Sequence, residues 1–445
     1  MKTVKFITLG CKTNFYDSAA MAELLSCNDY TITDNEIADI YVVNTCAVTN
    51  SGAARSRAAI KRCKKSNPDA VIAVTGCLAQ LQSDELAAID GVTIVSGVER
   101  GGIVEMLEKV RRGELCSPAD DNETMVNFAG ERSSPLQEYE ELAAVNTQSR
   151  VRAVVKIQDG CNNFCSYCIV PYARGHSRSR KLENILAEAR ELANRGYAEI
   201  VLTGINLTSY GADLPEDVGL IDVIERISEI TRVKRIRLGS LSSTVVTPEF
   251  ATRAAKIADK LCPQFHLSLQ SGSDEILQKM NRKYSSAQYL AAVELLRENI
   301  PNAAITTDLI VGFPGESDEQ FEESFEFCKR VGFSQMHIFK YSKRVGTAAA
   351  EMENQIPKSE KERRAAKILK LASKMKSEFY RSYIGEVAEV LFESQKSGRF
   401  FGLTPNYMDI LVESDESSDE LVGKIKTVRI TDFDGENLVG EIVGG

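Results

Sequence analysis

Short apolar runs, separated by stretches with helical periodicity, recur through the first hundred positions of the chain. Runs of this kind read as buried strands of a parallel sheet alternating with helices. The strands are predicted at 4–10, 39–45, 70–76 and 91–97. Helices follow over Tyr16 to Cys27 and after Thr49 and Asn50, which are good capping residues. Residues 113–147 are polar and irregular and read as a linker. Beyond them, strands are predicted at 153–158, 199–204, 235–239, 265–269, 305–312 and 336–341, with helices such as 182–195 and 286–298 between them. Six such units fit a partial (β/α)6 barrel, whose ligands gather at the carboxyl ends of the strands. A long polar helix after Pro357 runs to about Tyr383, and the tail changes to short β runs broken by Gly, Asn and Asp. That predicts a small β-barrel. The expected fold is α/β, with an amino-terminal α/β domain at 1–112, a barrel domain at 148–375 and a β-barrel at 376–445.

Composition narrows the class. The 445 residues are 43% hydrophobic and 26% charged, enough apolar content for true cores. No run approaches the ~20 apolar residues of a membrane span. The start, MKTVKFITLGC, turns polar too soon for a secretory signal. Eleven cysteines are too sparse and odd in number for a disulfide scaffold. Together these features predict a cytoplasmic protein with reduced thiols and no membrane association. The net charge of −9 excludes a uniformly basic surface but not local patches. Residues 49–67 carry Arg55, Arg57, Lys61, Arg62, Lys64 and Lys65 with no acid, and 358–382 carry nine Lys or Arg against three Glu. Each patch could equally be a solvated helix face.

The cysteines fall into two sets. Cys11, Cys46 and Cys77 each lie just past a predicted strand, 35 and 31 residues apart. In an open parallel sheet this is the ligand-binding edge, so three thiolates can converge there; the alternative is three buried small residues. Three thiolates are one short of a closed tetrahedral site and leave an open position. Cys161, Cys165 and Cys168 form a C-x3-C-x2-C loop after the strand at 153–158. One such loop can hold three corners of a four-iron cluster and leave the fourth iron for a substrate or cosubstrate. A zinc site would need His176 as its fourth ligand. His266 and His337 lie inside strands and read as satisfied interior residues. Cys27, Cys63, Cys116, Cys262 and Cys328 match no motif and read as structural.

The C-x3-C-x-aromatic-C triplet resembles that of the radical S-adenosylmethionine enzymes. LGCKTNFYDS, VNTCAVT, TGCLAQ, KIQDGCNNFCSYCIVPYARG, SLQSGSD and GFPGE together resemble the methylthiotransferases of that superfamily, over nearly the whole chain. The resemblance implies a 4Fe–4S cluster on Cys161, Cys165 and Cys168 that chelates S-adenosylmethionine and cleaves it to a 5′-deoxyadenosyl radical. It places Tyr167 near the adenosyl group. It also implies a second 4Fe–4S cluster on Cys11, Cys46 and Cys77, S-adenosylmethionine as both methyl donor and radical source, and a terminal TRAM domain. GCKTN, NTCAVT and RGHSRSR most resemble the branch that adds a methylthio group to carbon 2 of N6-threonylcarbamoyladenosine at position 37 of tRNA. Related branches act on isopentenyladenosine or a ribosomal protein, and a non-enzymatic alternative is an iron–sulfur RNA-binding module.

By the same resemblance Thr203 and Gly204 face the amino group of S-adenosylmethionine, although the usual Gly-Gly-Glu is absent. Ser240, Ser242, Gln270, Ser271 and Gly312 are polar or permissive positions at the same strand ends, with turn chemistry as the alternative. The expected partners are a tRNA anticodon stem-loop, a flavodoxin or ferredoxin as electron donor, and a sulfur source. Candidate RNA contacts are Arg55, Arg57, Lys61, Arg174, Arg178, Arg180, Lys181 and Lys367. In the tail Phe400, Phe401 and Tyr407 either stack on bases or form its core. From Tyr383 onward the tail has thirteen acids against five bases, which opposes an indiscriminate electrostatic grip on RNA there.

Overall fold

The computed structural model describes residues 2–113, 138–146 and 151–443; most of the linker, including Cys116, lies outside them. The chain forms two compact units. The first comprises Met1–Gln148, Lys156–Lys181 and Arg344–Thr347, and the second Ser149–Val155, Leu182–Lys343 and Ala348–Gly445.

In the first unit β1 (Lys2–Thr8), β2 (Tyr30–Ile32), β3 (Ile40–Thr45), β4 (Val71–Gly76) and β5 (Val92–Val95) form a parallel sheet in the order β2-β1-β3-β4-β5. All six residues of β3 are buried, as expected of a central strand covered on both faces. Its alternate residues feed two cores: Tyr41 and Val43 pack with Ile60, Val74 and Leu78, whereas Ile40 and Val42 pack with Met21, Leu25 and Met106. Two boundaries differ from the sequence reading. The first helix spans Lys12–Ser26 because Cys11, in extended conformation, caps it directly. The edge strand β2 was missed because its three residues are too few to show a period.

Part of the expected linker belongs to this unit. The Tyr16 hydroxyl donates to Leu142 O at 2.7 Å, and Glu140 accepts from the amides of Arg100 and Gly101. The chain then enters β6 (Ala153–Lys156), and β7 (Gln158–Asp159) pairs antiparallel with β8 (Arg178–Ser179). Between them Ile169 and Ala173 join the core of Leu78 and Ala79, so the C-x3-C-x2-C segment packs as part of the first unit.

In the second unit β6, β9 (Glu199–Thr203) and β10 (Arg235–Leu238) form one sheet. A second contains β11 (Ser240–Leu241), β12 (Gln264–Leu267), β13 (Ala304–Val311) and β14 (Gln335–Lys340), paired in parallel in that order. The barrel strands therefore occur as two sheets, with an isolated parallel bridge from Ile236 to Leu261. After the helix Lys358–Arg381, β15 (Val387–Lys396), β16 (Arg399–Leu403), β17 (Asp409–Glu413), β18 (Ile425–Phe433) and β19 (Leu438–Ile442) close into a five-stranded barrel.

A buried charge cluster fastens this small barrel to β9 and β10. Arg237 is wholly buried, donates to Glu199 at 2.6 Å and to the carbonyls of Thr404 and Pro405, and lies over the Tyr407 ring at 4.9 Å. Arg152 faces the same ring at 5.5 Å. Phe400 sits in the barrel core with Phe392 and Val428. These contacts withdraw Phe400 and Tyr407 from the base-stacking role considered above; Phe401 stays half-buried. Among the described residues no helix is long and apolar enough to cross a membrane.

Candidate functional site

Cys11, Cys46 and Cys77 occupy the carboxyl edge of the first unit's sheet, one residue or more past β1, β3 and β4. Backbone geometry brings them together. Gly10 has φ of +108°, and a side chain there would press within 3.1 Å of the Cys46 sulfur. Gly76 has φ of +94°, and a Cβ would meet Asn44 Oδ1 at 2.4 Å and Thr45 O at 2.6 Å. Both positions require glycine. Cys46 and Cys77 are buried, and Cys11 is exposed. Burial pushes both buried thiols up; the neighbouring Cys11 adds to this, and the Arg174 guanidinium opposes it. The three thiols thus share one electrostatic environment.

Arg174 ties this set to the second one. It is 2% exposed. Its Nε donates to Cys77 Sγ at 3.3 Å and its Nη1 to both oxygens of Asp159 at 2.9 and 3.0 Å. Its Nη2 donates to Asn14 at 2.6 Å and to Asp17 at 2.9 Å. Arg100 and Lys156 complete the cluster, each 2.6 Å from Asp17. Burial pushes the Asp17 carboxyl up, but Arg100, Lys156 and Arg174 outweigh it and hold the pKa at about 2. The same cations, Arg174 foremost, hold Asp159 well below the usual carboxylate range despite its burial.

Asp159 in turn accepts from the Gly160 amide at 2.8 Å, immediately before Cys161. The amide of Cys161 donates to Gly175 O at 3.0 Å, Gln158 Nε2 donates to the carbonyls of Asp159 and Gly160, and Asn162 accepts from the Ser177 amide. Within this laced loop Cys161 and Cys165 are buried and Cys168 is partly exposed. His176 pairs with Asn162 through Nδ1 at 2.9 Å. Phe164, with φ of +45°, stands exposed edge-on to the exposed Tyr172 at 5.8 Å between ring centres.

Three family models match the chain: the Radical SAM superfamily over 155–328, Uncharacterized protein family UPF0004 over 3–97, and the TRAM domain over 381–443. The chain is 38% identical to the threonylcarbamoyladenosine tRNA methylthiotransferase MtaB of Bacillus subtilis (strain 168), across 97% of this chain and 94% of that protein. The chain belongs to the radical S-adenosylmethionine methylthiotransferases. It is also 35% identical to a tRNA-2-methylthio-N(6)-dimethylallyladenosine synthase of Thermoanaerobacter sp. (strain X514), over 98% of this chain and 92% of that one. In fold it resembles the radical S-adenosylmethionine methyltransferase TsrM of Kitasatospora setae, with a TM-score of 0.59 at 14% identity over 78% of this chain and 77% of that one.

As a radical S-adenosylmethionine enzyme this methylthiotransferase uses S-adenosylmethionine and a 4Fe–4S cluster. The donor sets suit iron–sulfur clusters. Each is three thiols without a fourth protein ligand of the same kind in its motif, and fixed cations flank the amino-terminal set, surroundings that would suit an anionic group there. Arg344 supplies one of these. It donates to Val48 O and, at 2.6 Å, to Asn50, its charge acts on Cys46, and its buried Nη2 has no partner among the described residues. The remaining cysteines lie elsewhere. Burial pushes Cys63 up to about 11 and Cys262 up to about 12, Cys328 is buried too, and Cys27 is exposed.

The residues expected near S-adenosylmethionine separate into two groups. Thr203 is buried and Gly204 half-buried at the end of β9, Ser240 is exposed at the start of β11, and Tyr167 is half-buried. Ser242 instead caps a short turn and its amide donates to Thr208. Gln270, with φ of +69°, exchanges backbone hydrogen bonds with Asp308 and Ile310. The Ser271 hydroxyl is committed to Ser324 and the Ser273 amide. The Gly312 amide donates to Glu316, itself paired with Arg364. The Ser271 hydroxyl thus ties its loop to the helix Asp318–Val331, and Gly312 serves a tight turn.

The expected RNA contacts also divide. Arg174 and Arg180 are buried in ion pairs, Arg180 with Glu141 at 2.9 Å, and neither is open to a phosphate. Arg178 is half-buried and lines a cavity of about 290 Å³ with Arg100, Lys156 and Asp159. Arg55, Lys61 and Lys181 are exposed; Arg57 is shared with Gln82 and Glu85. Lys367 pairs with Glu322 and covers the Phe325 ring at 4.5 Å. Asp17, Arg100, Lys156, Asp159 and Arg344 were missed. The available signal was charge inside apolar periodicity: Lys156 within AVVKIQ and Asp159 before GC.

Proposed function

We propose that this methylthiotransferase acts on tRNA and adds a methylthio group to carbon 2 of N6-threonylcarbamoyladenosine at position 37, within the anticodon stem-loop. The observation that carries this reading is the end-to-end likeness to a relative named for that nucleoside, at 38% identity. The TRAM match supports an RNA substrate. Cys161, Cys165 and Cys168 would hold the cluster that binds S-adenosylmethionine, and Cys11, Cys46 and Cys77 a second 4Fe–4S cluster. When bound, these groups supply an adenosyl radical able to activate an inert aromatic C–H bond, and a carrier for sulfur.

The chain's own residues have separate tasks. Gly10 and Gly76 let Cys11, Cys46 and Cys77 approach one another. Arg174 donates to the Cys77 sulfur and, through Asp159, fixes the backbone that leads into Cys161. A flavodoxin or ferredoxin in the cytoplasm would supply electrons, and an external sulfur source would complete the methylthio group.

The second reading is dimethylallyladenosine as substrate, favoured by a relative only slightly less similar. Nucleoside mass spectrometry of tRNA from cells lacking methylthiolation, with and without this chain, decides between them. Appearance of 2-methylthio-N6-threonylcarbamoyladenosine is the expected result. Methylthiolated isopentenyladenosine alone would reverse the substrate assignment, and no methylthio nucleoside from a fully loaded enzyme would point to a protein substrate.

A further inference from the structure

Among the described residues, three arginines carry a buried side-chain nitrogen with no hydrogen-bond partner: Arg152, Arg235 and Arg344. A buried donor left unpaired is costly, and more so when charged, so each asks for an account. For two of them a carboxylate supplies it: Arg152 Nη1 lies 3.9 Å from Glu199 and Arg235 Nη2 3.7 Å from Glu389. Arg344 has no such neighbour. Its Nε donates to the Val48 carbonyl at 3.3 Å and its Nη1 to Asn50 Oδ1 at 2.6 Å, both uncharged acceptors. Burial pulls its pKa down, and the charge that opposes this is a thiolate at Cys46.

The guanidinium is fixed from both sides, within the first unit. The amide and hydroxyl of Thr347 donate to Arg344 O at 3.1 and 2.7 Å and close a tight turn. Val48 and Asn50, 296 and 294 positions away, hold the fork. They bracket Thr49, whose hydroxyl caps the helix Asn50–Ser66 by accepting from the Gly52 amide. That helix starts against the cysteine: a Cβ on Gly52 would lie 3.5 Å from Cys46 Sγ, which also accepts from the Val48 amide. Each buried thiol of the amino-terminal set therefore has its own guanidinium. Arg174, at Cys77, commits every nitrogen and is offset by Asp159 and Asp17. Arg344, at Cys46, holds one nitrogen back and carries its charge uncompensated.

We propose that Arg344 is a positioning residue for the second cluster: its Nη2 donates to the anionic iron–sulfur group on Cys11, Cys46 and Cys77 and raises the reduction potential of that group. The inference rests on the two-cluster reading above and deepens it by naming the residue that tunes the second cluster. Three thiolates and the sulfides of such a cluster make an anion, and reduction adds one more negative charge. A hydrogen bond from a cation stabilises the reduced form more than the oxidised form, and hydrogen bonds to cluster sulfur are among the levers that set its potential. The low local dielectric of a buried donor strengthens the preference. Arg174 is less able to do this, because two carboxylates already share its charge.

The test is a dithionite titration of the cluster-loaded wild type, Arg344→Gln and Arg344→Lys, followed by low-temperature electron paramagnetic resonance. Added S-adenosylmethionine marks the signal of the Cys161, Cys165 and Cys168 set, so the signal it leaves unchanged reports the other set. Thermal melting and iron and sulfide per chain check that each variant is folded and loaded. The expected result for Arg344→Gln is a fall of about tenfold in the reduction equilibrium of the unchanged signal, or about 59 mV for one electron, with the marked signal unmoved. Arg344→Lys keeps the charge without the fork and should fall between Gln and wild type. It also carries the test by itself: a Lys potential equal to wild type overturns the hydrogen bond from Nη2. A Gln potential equal to wild type, or equal shifts of both signals, overturns the role of Arg344 while the two-cluster reading stands. A wild type that loads a single cluster, with every signal marked by S-adenosylmethionine, overturns that reading and this inference with it.

Discussion

Arg174 Nε lies 3.3 Å from Cys77 Sγ, and these two residues stand 97 positions apart in the chain. The same guanidinium grips Asp159, two residues before Cys161. One buried side chain therefore orients both cysteine loops, which makes it the point where their geometries are coupled.

Replacing Arg174 by Met leaves Asp17 and Asp159 buried with one cation fewer. Breaking a buried pair in this way costs about 3–5 kcal/mol, so the variant should melt well below wild type and carry less iron. Arg174→Lys should recover only part of this, since a point charge cannot span Asp159, Asp17 and Cys77 together. Thermal unfolding with iron analysis checks both; a Met variant that melts and loads like wild type would refute the coupling.

The two carboxylates also set an acid limit. Asp17 is held at about 2 against an ordinary value near 3.9. A depressed folded pKa adds stability that is complete above the unfolded value and disappears as pH falls through the folded one. Stability should therefore be level above about pH 5 from this source and drop between about pH 4 and pH 2, by roughly 2 kcal/mol for Asp17 alone. The pH dependence of denaturant unfolding reads this slope directly, and Asp17→Asn should flatten it.

Gly76→Ala places a Cβ 2.6 Å from the Thr45 carbonyl at φ of +94° and ψ of −168°. Backbone cannot yield as a side chain can, and this region, essentially reserved for glycine, alone costs an L-residue about 1–3 kcal/mol. The substitution should shift β4 away from β3 and lower iron bound by the amino-terminal thiols. Iron content equal to wild type would show that Cys77 does not need this approach.

Cys165→Ala should remove iron equivalent to one cluster and abolish cleavage of S-adenosylmethionine, while the iron attributed to Cys11, Cys46 and Cys77 remains. Iron and sulfide per chain, with low-temperature electron paramagnetic resonance, distinguish the two. Loss of all iron would refute independent loading of the two cysteine sets.

Arg237→Met should destabilise the second unit by about 3–5 kcal/mol, because Glu199 is then buried without its nearest partner. Arg237→Met with Glu199→Met should recover a large part of that loss, since removing both charges also removes their desolvation. A double-mutant cycle on melting temperature measures the coupling. Additive losses would show that the carbonyls of Thr404 and Pro405, not Glu199, are the important partners of Arg237.

The strand-end positions of Cys11, Cys46, Cys77 and Cys161 were legible in the sequence, because a strand-like run closing on Gly-Cys or Thr-Cys is a local pattern, and local patterns fix where a strand stops. The parallel sheet of the first unit and the terminal β-barrel were legible for the same reason. Which way a charge faces was not. Arg174 and Arg180 sit in a basic run that reads as surface, yet the five-residue helix Val170–Arg174 and the strand β8 turn both inward. Nor was it visible that Arg344 returns beside Cys46, or that His266, Asp308 and His337 meet on one face of three strands. Periodicity reports how a segment alternates, so the sequence by itself determined the elements and their cysteine-bearing ends. Pairing of buried charges and register between distant strands depend on what packs against each element, and only the tertiary structure decided those.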